Sequence, residues 1–348
     1  MSFYIILFLF VFSFSFMYSH SKNTSLGVVL KTLVFLLLFI PAAIRFNIGT
    51  DYKNYAMIYN SLSNGHSITQ ETGWKILNNL VIKTDMGRQW IFIISSFLIY
   101  IFLFNANKKT FFICIIIFYL YLYTYSYNVL RNAISISLFI FAYFELLKHK
   151  DFNSVLCIII SLFFHTTAIL YIPVYILMRF VRLNKRNTLI FALIIYFIMS
   201  KINFVDYIFK MPLFQGTKYS YYASRAIFNR VSSTVSGFGV LLRIFHMFLL
   251  YCLCLETEDN KFEFSAMSWL FICLLIADML SVRIFIFYRL LNCFYIAYIA
   301  MFKLMFTRKT TGVTTILKYG CLFYTCYFNF FETLMRNDNG IIPYTTFF

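Results

Sequence analysis

The sequence predicts an all-α fold: a polytopic transmembrane helical bundle of about ten spans, a broken hairpin segment, and amphipathic interfacial helices in two outer loops. Composition is the first ground. Of the 348 residues 61% are hydrophobic and 12% charged, about half the charge of an ordinary soluble domain. Repetition is the second. Apolar stretches of about 15 or more residues recur along the whole chain, and crossing the hydrocarbon takes roughly 17 to 25 of them. The third ground is what lies between them. No polar interval is large enough to hold a soluble domain of ordinary size, so residues 1–348 read as one integral-membrane domain.

Taken in order, apolar windows and their breaks put spans near 3–18, 28–44, 89–105, 111–127, 131–147, 188–203, 237–255, 264–282, 286–303 and 313–331. The stretch from Phe3 to Phe16 lacks the basic leader and small-residue cleavage site of a secretory signal, so it reads as a retained first helix. The segment 152–178 is apolar but interrupted by Phe164-His165-Thr166-Thr167 and then by Pro173. Basic clusters flank it on both sides, which suits a broken hairpin whose irregular middle is buried in protein or lines a wet cavity. Short basic loops face the cytoplasm. Asn107-Lys108-Lys109, Lys148 to Lys150, Arg179 to Arg186 and Lys303 to Lys309 fall on one side, so both termini and the long loops 45–88 and 201–236 face outward.

Those two loops carry helical patterns of their own. Tyr52, Tyr55, Tyr59 and Leu62 recur at helical spacing, and Trp74, Leu77, Leu80 and Val81 form an apolar face on 71–83, where Glu71 and Lys75 stand four apart. A third candidate is 217–231, with Tyr219, Tyr222, Arg225, Phe228 and Arg230. Helices of this kind lie in the interface plane or pack on the bundle.

The formal net charge of +17 is the ordinary result of Lys and Arg anchoring helix ends to anionic headgroups. It does not indicate nucleic acid, because no basic, aromatic-interleaved stretch lies outside the membrane plane. All eight cysteines sit in apolar segments, and neither Cys252/Cys254 nor Cys321/Cys326 has His partners at ligand spacing. The sequence therefore predicts no metal, no cofactor and no redox chemistry.

An unpaired charge in hydrocarbon is costly and usually functional, so charges outside the anchor clusters carry the information. Arg45 closes a span and opens Arg45-Phe46-Asn47-Ile48-Gly49-Thr50-Asp51-Tyr52, Arg131 opens another, and Arg283 and Arg289 flank an aromatic run. Snorkelling to headgroups is the common use of any one such arginine. Four on one outer face suit a diphosphate, because guanidinium offers a planar fork to phosphate oxygens. Gly49 supplies the freedom of positive φ that a chain doubling back from a helix needs.

In order, Arg45-x-x-x-Gly49-Thr50-Asp51-x-x-x-Tyr55, Glu71-x-Gly73-Trp74, Arg131-Asn132-x-Ile134, His165-Thr166-x-Ala168, Gly237 followed six residues on by Arg243, and Pro343-Tyr344 span nearly the whole chain. This set resembles the Wzy/EpsG-type bacterial polysaccharide polymerases. The resemblance implies a membrane glycosyltransferase in the bacterial inner membrane that makes O antigen, capsule or exopolysaccharide. It would move a glycan from undecaprenyl diphosphate to the nonreducing end of a new lipid-linked repeat unit at the outer face. Undecaprenyl-diphosphate-linked oligosaccharide and membrane lipids are then its partners, with a flippase and a chain-length regulator of the same pathway. It implies no nucleotide sugar and no metal, in keeping with the absence of an Asp-x-Asp motif. A lipid-linked oligosaccharide flippase would show two internal repeats, and none is visible. An O-antigen ligase shares the chemistry and is not separated from a polymerase by sequence.

Such a transfer needs positive charge at the leaving diphosphate, here Arg45, Arg131, Arg283 and Arg289. It also needs a base for the acceptor hydroxyl, and the candidates are Asp51, Glu71 and His165. Each has a plain alternative: Asp51 as a helix cap or partner of Arg45, Glu71 as a first-turn acid, His165 as a hydrogen-bonded core histidine. Gly49, Tyr52, Tyr55 and Arg243 are expected to shape the substrate loop.

Overall fold

The computed structural model describes residues 1–104, 108–202, 237–283, 287–306 and 312–348. Outer loop 201–236, with its helical candidate 217–231, lies almost entirely outside the described residues, as do residues 284–286 and part of the basic cluster 303–309. Every named element among the described residues is helical. They run α1 (Ser2–His20), α2 (Thr24–Ile44), α3 (Tyr52–Ser63), α4 (Thr72–Lys83), α5 (Gln89–Leu103) and α6 (Lys108–Phe118). A π-helical turn, Tyr119–Tyr123, and Thr124–Ser126 prolong α6. Then come α7 (Leu130–Leu147), α8 (Asp151–Phe164), a 3-10 turn (Thr166–Leu170), α9 (Tyr171–Phe180) and α10 (Lys185–Lys201). After the gap follow α11 (Phe238–Leu253), α12 (Lys261–Arg283), α13 (Tyr288–Cys293), α14 (Ile296–Phe306), α15 (Val313–Thr325) and α16 (Glu332–Arg336).

Each expected window falls on a helix, but length separates them. Among the described residues five helices are long and apolar enough to cross a membrane: Ser2–His20, Thr24–Ile44, Leu130–Leu147, Glu258–Arg283 and Tyr288–Phe306. Five more are apolar but only 10–17 residues long, among them Gln89–Phe102, Asp151–Phe164 and Phe238–Leu253. Among the described residues, then, helices of full spanning length number five, where the sequence leads one to expect about ten spans.

The described residues form two compact units, Met1–Ile172 with Leu322–Phe348, and Pro173–Cys321. In the first, α7 packs on α5 and α8, and α2 packs on α1 and α5. Helix α7 is buried on all sides save at Arg131, Phe141 and Leu147. A helix that is mostly apolar on every face, with small hydroxyls at Ser135 and Ser137, suits such a centre. Helix α1 instead buries only Tyr4, Leu7, Val11 and Ser15, a stripe at helical spacing, and leaves Ile6, Leu9 and Phe10 exposed, as lipid allows. On α4 the buried stripe is Trp74, Leu77, Asn78 and Val81. Leu80, expected on that face, points out, and Asn78 takes the inner place by donating to Trp74 O at 2.8 Å. Helix α3 buries Tyr52, Tyr55, Ala56 and Ile58. In the second unit α12 packs on α10, α11 and α14.

The end of α2 organises the first unit. The last four carbonyls of a helix have no following turn to bond. Here each is met from elsewhere: Pro41 O by Tyr344 Oη at 3.0 Å, Ala42 O by Arg45 Nη1, Ala43 O by Gln89 Nε2 at 2.7 Å, and Ile44 O by Phe347 N at 2.9 Å. The C-terminal segment is thus a strap across this helix end, with Phe46 N donating to Thr345 O at 3.1 Å and Arg45 bridging antiparallel to Thr346. Tyr344 stacks on Phe3 with ring centroids 4.0 Å apart, and Tyr4 donates to Ile341 O at 3.1 Å. Tyr344→Phe keeps the stack and removes one donor, so a loss of about 1 kcal/mol is expected. Tyr344→Ala also loses the stack and should cost distinctly more. Thermal unfolding of the two purified variants in one detergent gives the order.

Candidate functional site

Arg45 is expected at the mouth of a cavity, and its side chain is instead sealed from solvent, at 0% exposure. Its guanidinium lies between the rings of Phe92 and Tyr127, 5.1 and 4.6 Å from their centroids, and Nη2 donates to Tyr127 O at 3.4 Å. Burial draws its pKa below the ordinary arginine value. The fork that was to hold diphosphate is spent on backbone carbonyls, so Arg45 acts here as a clamp on the α2 end. Gly49, at φ 95°, follows from the same clamp. A Cβ there would lie 2.7 Å from Asn128 Oδ1 and 2.9 Å from Tyr127 O. Gly49 N donates to Gly340 O at 3.0 Å, Thr50 N to Asn128 Oδ1 at 2.8 Å, and Asn128 Nδ2 to Asn339 Oδ1 at 3.0 Å.

Asp51 takes the N-cap position of α3, half-buried, without a side-chain capping hydrogen bond. Tyr52 and Tyr55 are buried: Tyr52 stacks on Phe92 at 4.4 Å and donates to Gln89 Oε1 at 3.3 Å, and Tyr55 packs 5.1 Å from Trp74. These two side chains hold α3 against Phe92 and Trp74.

Three elements far apart in sequence do meet. Glu71, the N-cap residue of α4, forms an ion pair with Arg131 in the first turn of α7, with side chains 7% and 18% exposed. Nearby, Gly73 lets α4 lie against the end of α8. A Cβ on it would fall 2.7 Å from Phe163 O, a clash with backbone that cannot move aside cheaply. Two residues on, α8 stops at His165, which takes extended φ −153°, ψ 132° and caps the 3-10 turn. His165 is 7% exposed, and its Nδ1 lies 2.7 Å from Thr167 Oγ1, which is 3.4 Å from Asn132 Oδ1. The first turn of α7 thus carries two polar contacts, Arg131 with Glu71 of α4 and Asn132 with Thr167 of the 3-10 turn. Beside it runs a groove of about 430 Å³ lined by Glu71, Thr72, Ile159, Leu162 and Phe163. A nearly closed ion pair at the rim of an apolar groove can bind an anion on the arginine while the carboxylate accepts a proton.

In the second unit Arg243 on α11 pairs with Asp278 on α12, Nε to Oδ1 at 2.6 Å and Nη2 to Oδ2 at 3.1 Å. Asp278 was not singled out by sequence reasoning, although an acid far from either end of an apolar 23-residue helix was a usable signal. Arg283 is exposed and donates to Ser200 O at 3.2 Å, and Arg289 is half-buried. Among the described residues no group of three or more His, Cys, Asp or Glu has the geometry to hold a metal ion.

Apolar helices of membrane-crossing length, with ionisable side chains paired at their ends and breaks, define a helical membrane protein. The chain belongs to the EpsG family, whose family model matches residues 28–346, nearly its whole length. This is a Wzy-type polymerase-like family, and membership points to a polysaccharide polymerase-type function. No curated protein and no solved structure matches the chain.

Gly73→Ala should push α4 off the end of α8, at a cost of about 1–3 kcal/mol. Its thermal midpoint should drop, whereas Gly320→Ala, which sits at ordinary helical φ and meets nothing within 4 Å, should not lower it. Asp278→Ala leaves Arg243 without its carboxylate and should cost about 3 kcal/mol, the low end for a broken buried pair because Arg243 keeps 25% of its side chain exposed. Adding Arg243→Leu should recover most of the loss, read from unfolding midpoints of the single and double variants.

Proposed function

We propose that this chain polymerises lipid-linked sugar repeat units at the outer face of the bacterial inner membrane. The acceptor hydroxyl oxygen of a new repeat unit attacks the anomeric carbon of the growing glycan. The bond from that carbon to the diphosphate oxygen breaks, and undecaprenyl diphosphate leaves with the electron pair. The hydroxyl proton passes to a carboxylate. The Glu71–Arg131 ion pair at the groove is the observation that carries this reading. A bidentate guanidinium–phosphate contact is about as strong as guanidinium–carboxylate. An entering diphosphate can therefore replace Glu71 on Arg131 at little net cost. The exchange frees Glu71 as base at the moment the leaving group is neutralised. Arg45, enclosed by carbonyls and rings, holds the end of α2 instead of touching the phosphate.

The glycan ladder of cells tests this. A strain lacking the chain should hold single repeat units on lipid and no polymer. Arg131→Lys retains charge but not the planar fork and should lose chain growth by roughly 10²- to 10³-fold, the usual cost of one such donor. Glu71→Gln should fall by about 10²- to 10⁴-fold if the carboxylate is the base. A wild-type ladder from Arg131→Ala at normal membrane abundance would sink the proposal.

A further inference from the structure

We infer that the turn joining α9 to α10 holds an anionic phospholipid, with its phosphate on Arg182 and Arg186 and an acyl chain in the groove beside them. All the residues concerned belong to the second unit, and none lines the Glu71–Arg131 groove. The groove, of about 420 Å³, is lined by Val181, Leu183, Asn187, Ile190, Phe191 and Trp269. Its wall is fixed by α12. Ser265 Oγ accepts from Leu183 N at 2.9 Å, and Trp269 Nε1, one helical turn on, donates to Val181 O at 2.9 Å. An indole with its polar edge on backbone and its ring among apolar side chains is what tryptophan offers at the level of lipid headgroups.

Charge separates this face from an ordinary lipid-facing surface. The sequence has no acid between Asp151 and Asp206, and within that interval Arg179, Arg182, Lys185 and Arg186 crowd into one turn. The acids that neighbouring elements bring are engaged: Glu256 Oε2 accepts from Lys185 N at 2.8 Å, and Glu263 pairs with Lys303 at 2.6 Å. Lys185 Nζ is turned to Cys252 O and Cys254 O, at 2.6 and 2.8 Å. Arg182 and Arg186 are exposed, and neither has an acid partner among the described residues. Arg182 lies over the Phe262 ring, 4.3 Å from its centroid, with Nη1 donating to Met178 O at 3.4 Å. It is therefore already held between two groove-lining neighbours, and binding costs it little side-chain freedom. Arg186 stands one turn before Ile190 on α10, as Asn187 stands before Phe191, so it continues the groove-lining face toward the start of the helix. Two guanidinium forks beside an apolar groove match a phosphate diester joined to acyl chains. The four cations repel a choline or ethanolamine group, so the occupant carries net negative charge.

The full chain in lipid nanodiscs provides the test, with Trp269 as reporter. Quenching by phosphatidylglycerol with brominated acyl chains is compared with quenching by brominated phosphatidylcholine at the same mole fraction. The part absent from Trp269→Phe belongs to the groove. Phosphatidylglycerol should quench that part several-fold more strongly. Arg182→Gln and Arg186→Gln should each lower the relative affinity about fivefold, and the double variant should show no preference. Equal quenching by the two lipids in the wild-type chain, or a preference that survives in the double variant, overturns the inference. Native mass spectrometry from detergent gives a second reading that needs no tryptophan. Phosphatidylglycerol should stay on the wild-type chain and be lost from the double variant, and equal retention by both overturns the site. Displacement of the lipid by inorganic phosphate at constant ionic strength would show a site for free anions and overturn a phospholipid as its occupant.

Discussion

The carbonyls at the end of α2 are the constraint on which the first unit depends. A helix that ends inside a membrane protein cannot leave its last acceptors to water, and each orphan there costs about 1–3 kcal/mol. Four acceptors are satisfied by groups from three places: Arg45 beside them, Gln89 at the start of α5, and Tyr344 and Phe347 in the C-terminal strap. Much else follows. Arg45 must be buried to reach Ala42 O, and its charge is then covered by the faces of Phe92 and Tyr127. Glycine is needed at position 49 because the chain passes close under Tyr127 and Asn128.

A second helix end is closed differently. At His165 the α8 ladder stops, and the imidazole caps the next turn by accepting from Thr167 N. Gly73 lets α4 approach Phe163 O at this end, which brings Glu71 within reach of Arg131. The two arginines thus differ in use although each sits at a helix terminus. Arg45 has its partners in fixed backbone, while the partner of Arg131 is a side chain, Glu71.

Pairing also explains how the second unit keeps charge among apolar helices. Asp278 is 1% exposed, and its carboxylate stays in the bundle because Arg243 meets both oxygens. A polar pair of this kind holds α11 against α12 in one register, which apolar side chains alone would specify less sharply.

The sequence alone determined the helical membrane class, the positions of the helices, the break at Phe164-His165 and the resemblance to a polymerase family, because periodicity, hydropathy and motif order are local properties of a chain. It also marked Arg45, Glu71, Arg131 and His165 as unusual, since a charge or imidazole beside a long apolar run is conspicuous without any fold. It could not say which of these would be enclosed and which would meet. Arg45 and Arg131 look alike in sequence, and only the strap from 341–348 and the approach of α4 to α8 separate their roles. Leu80 left the face on which it is expected, and Asn78 is buried there instead, for the same reason, because the neighbour that a helical face meets is chosen by packing. Span length was decided there too: hydropathy measures how apolar a run is, whereas caps and breaks that depend on distant partners decide where its helix stops.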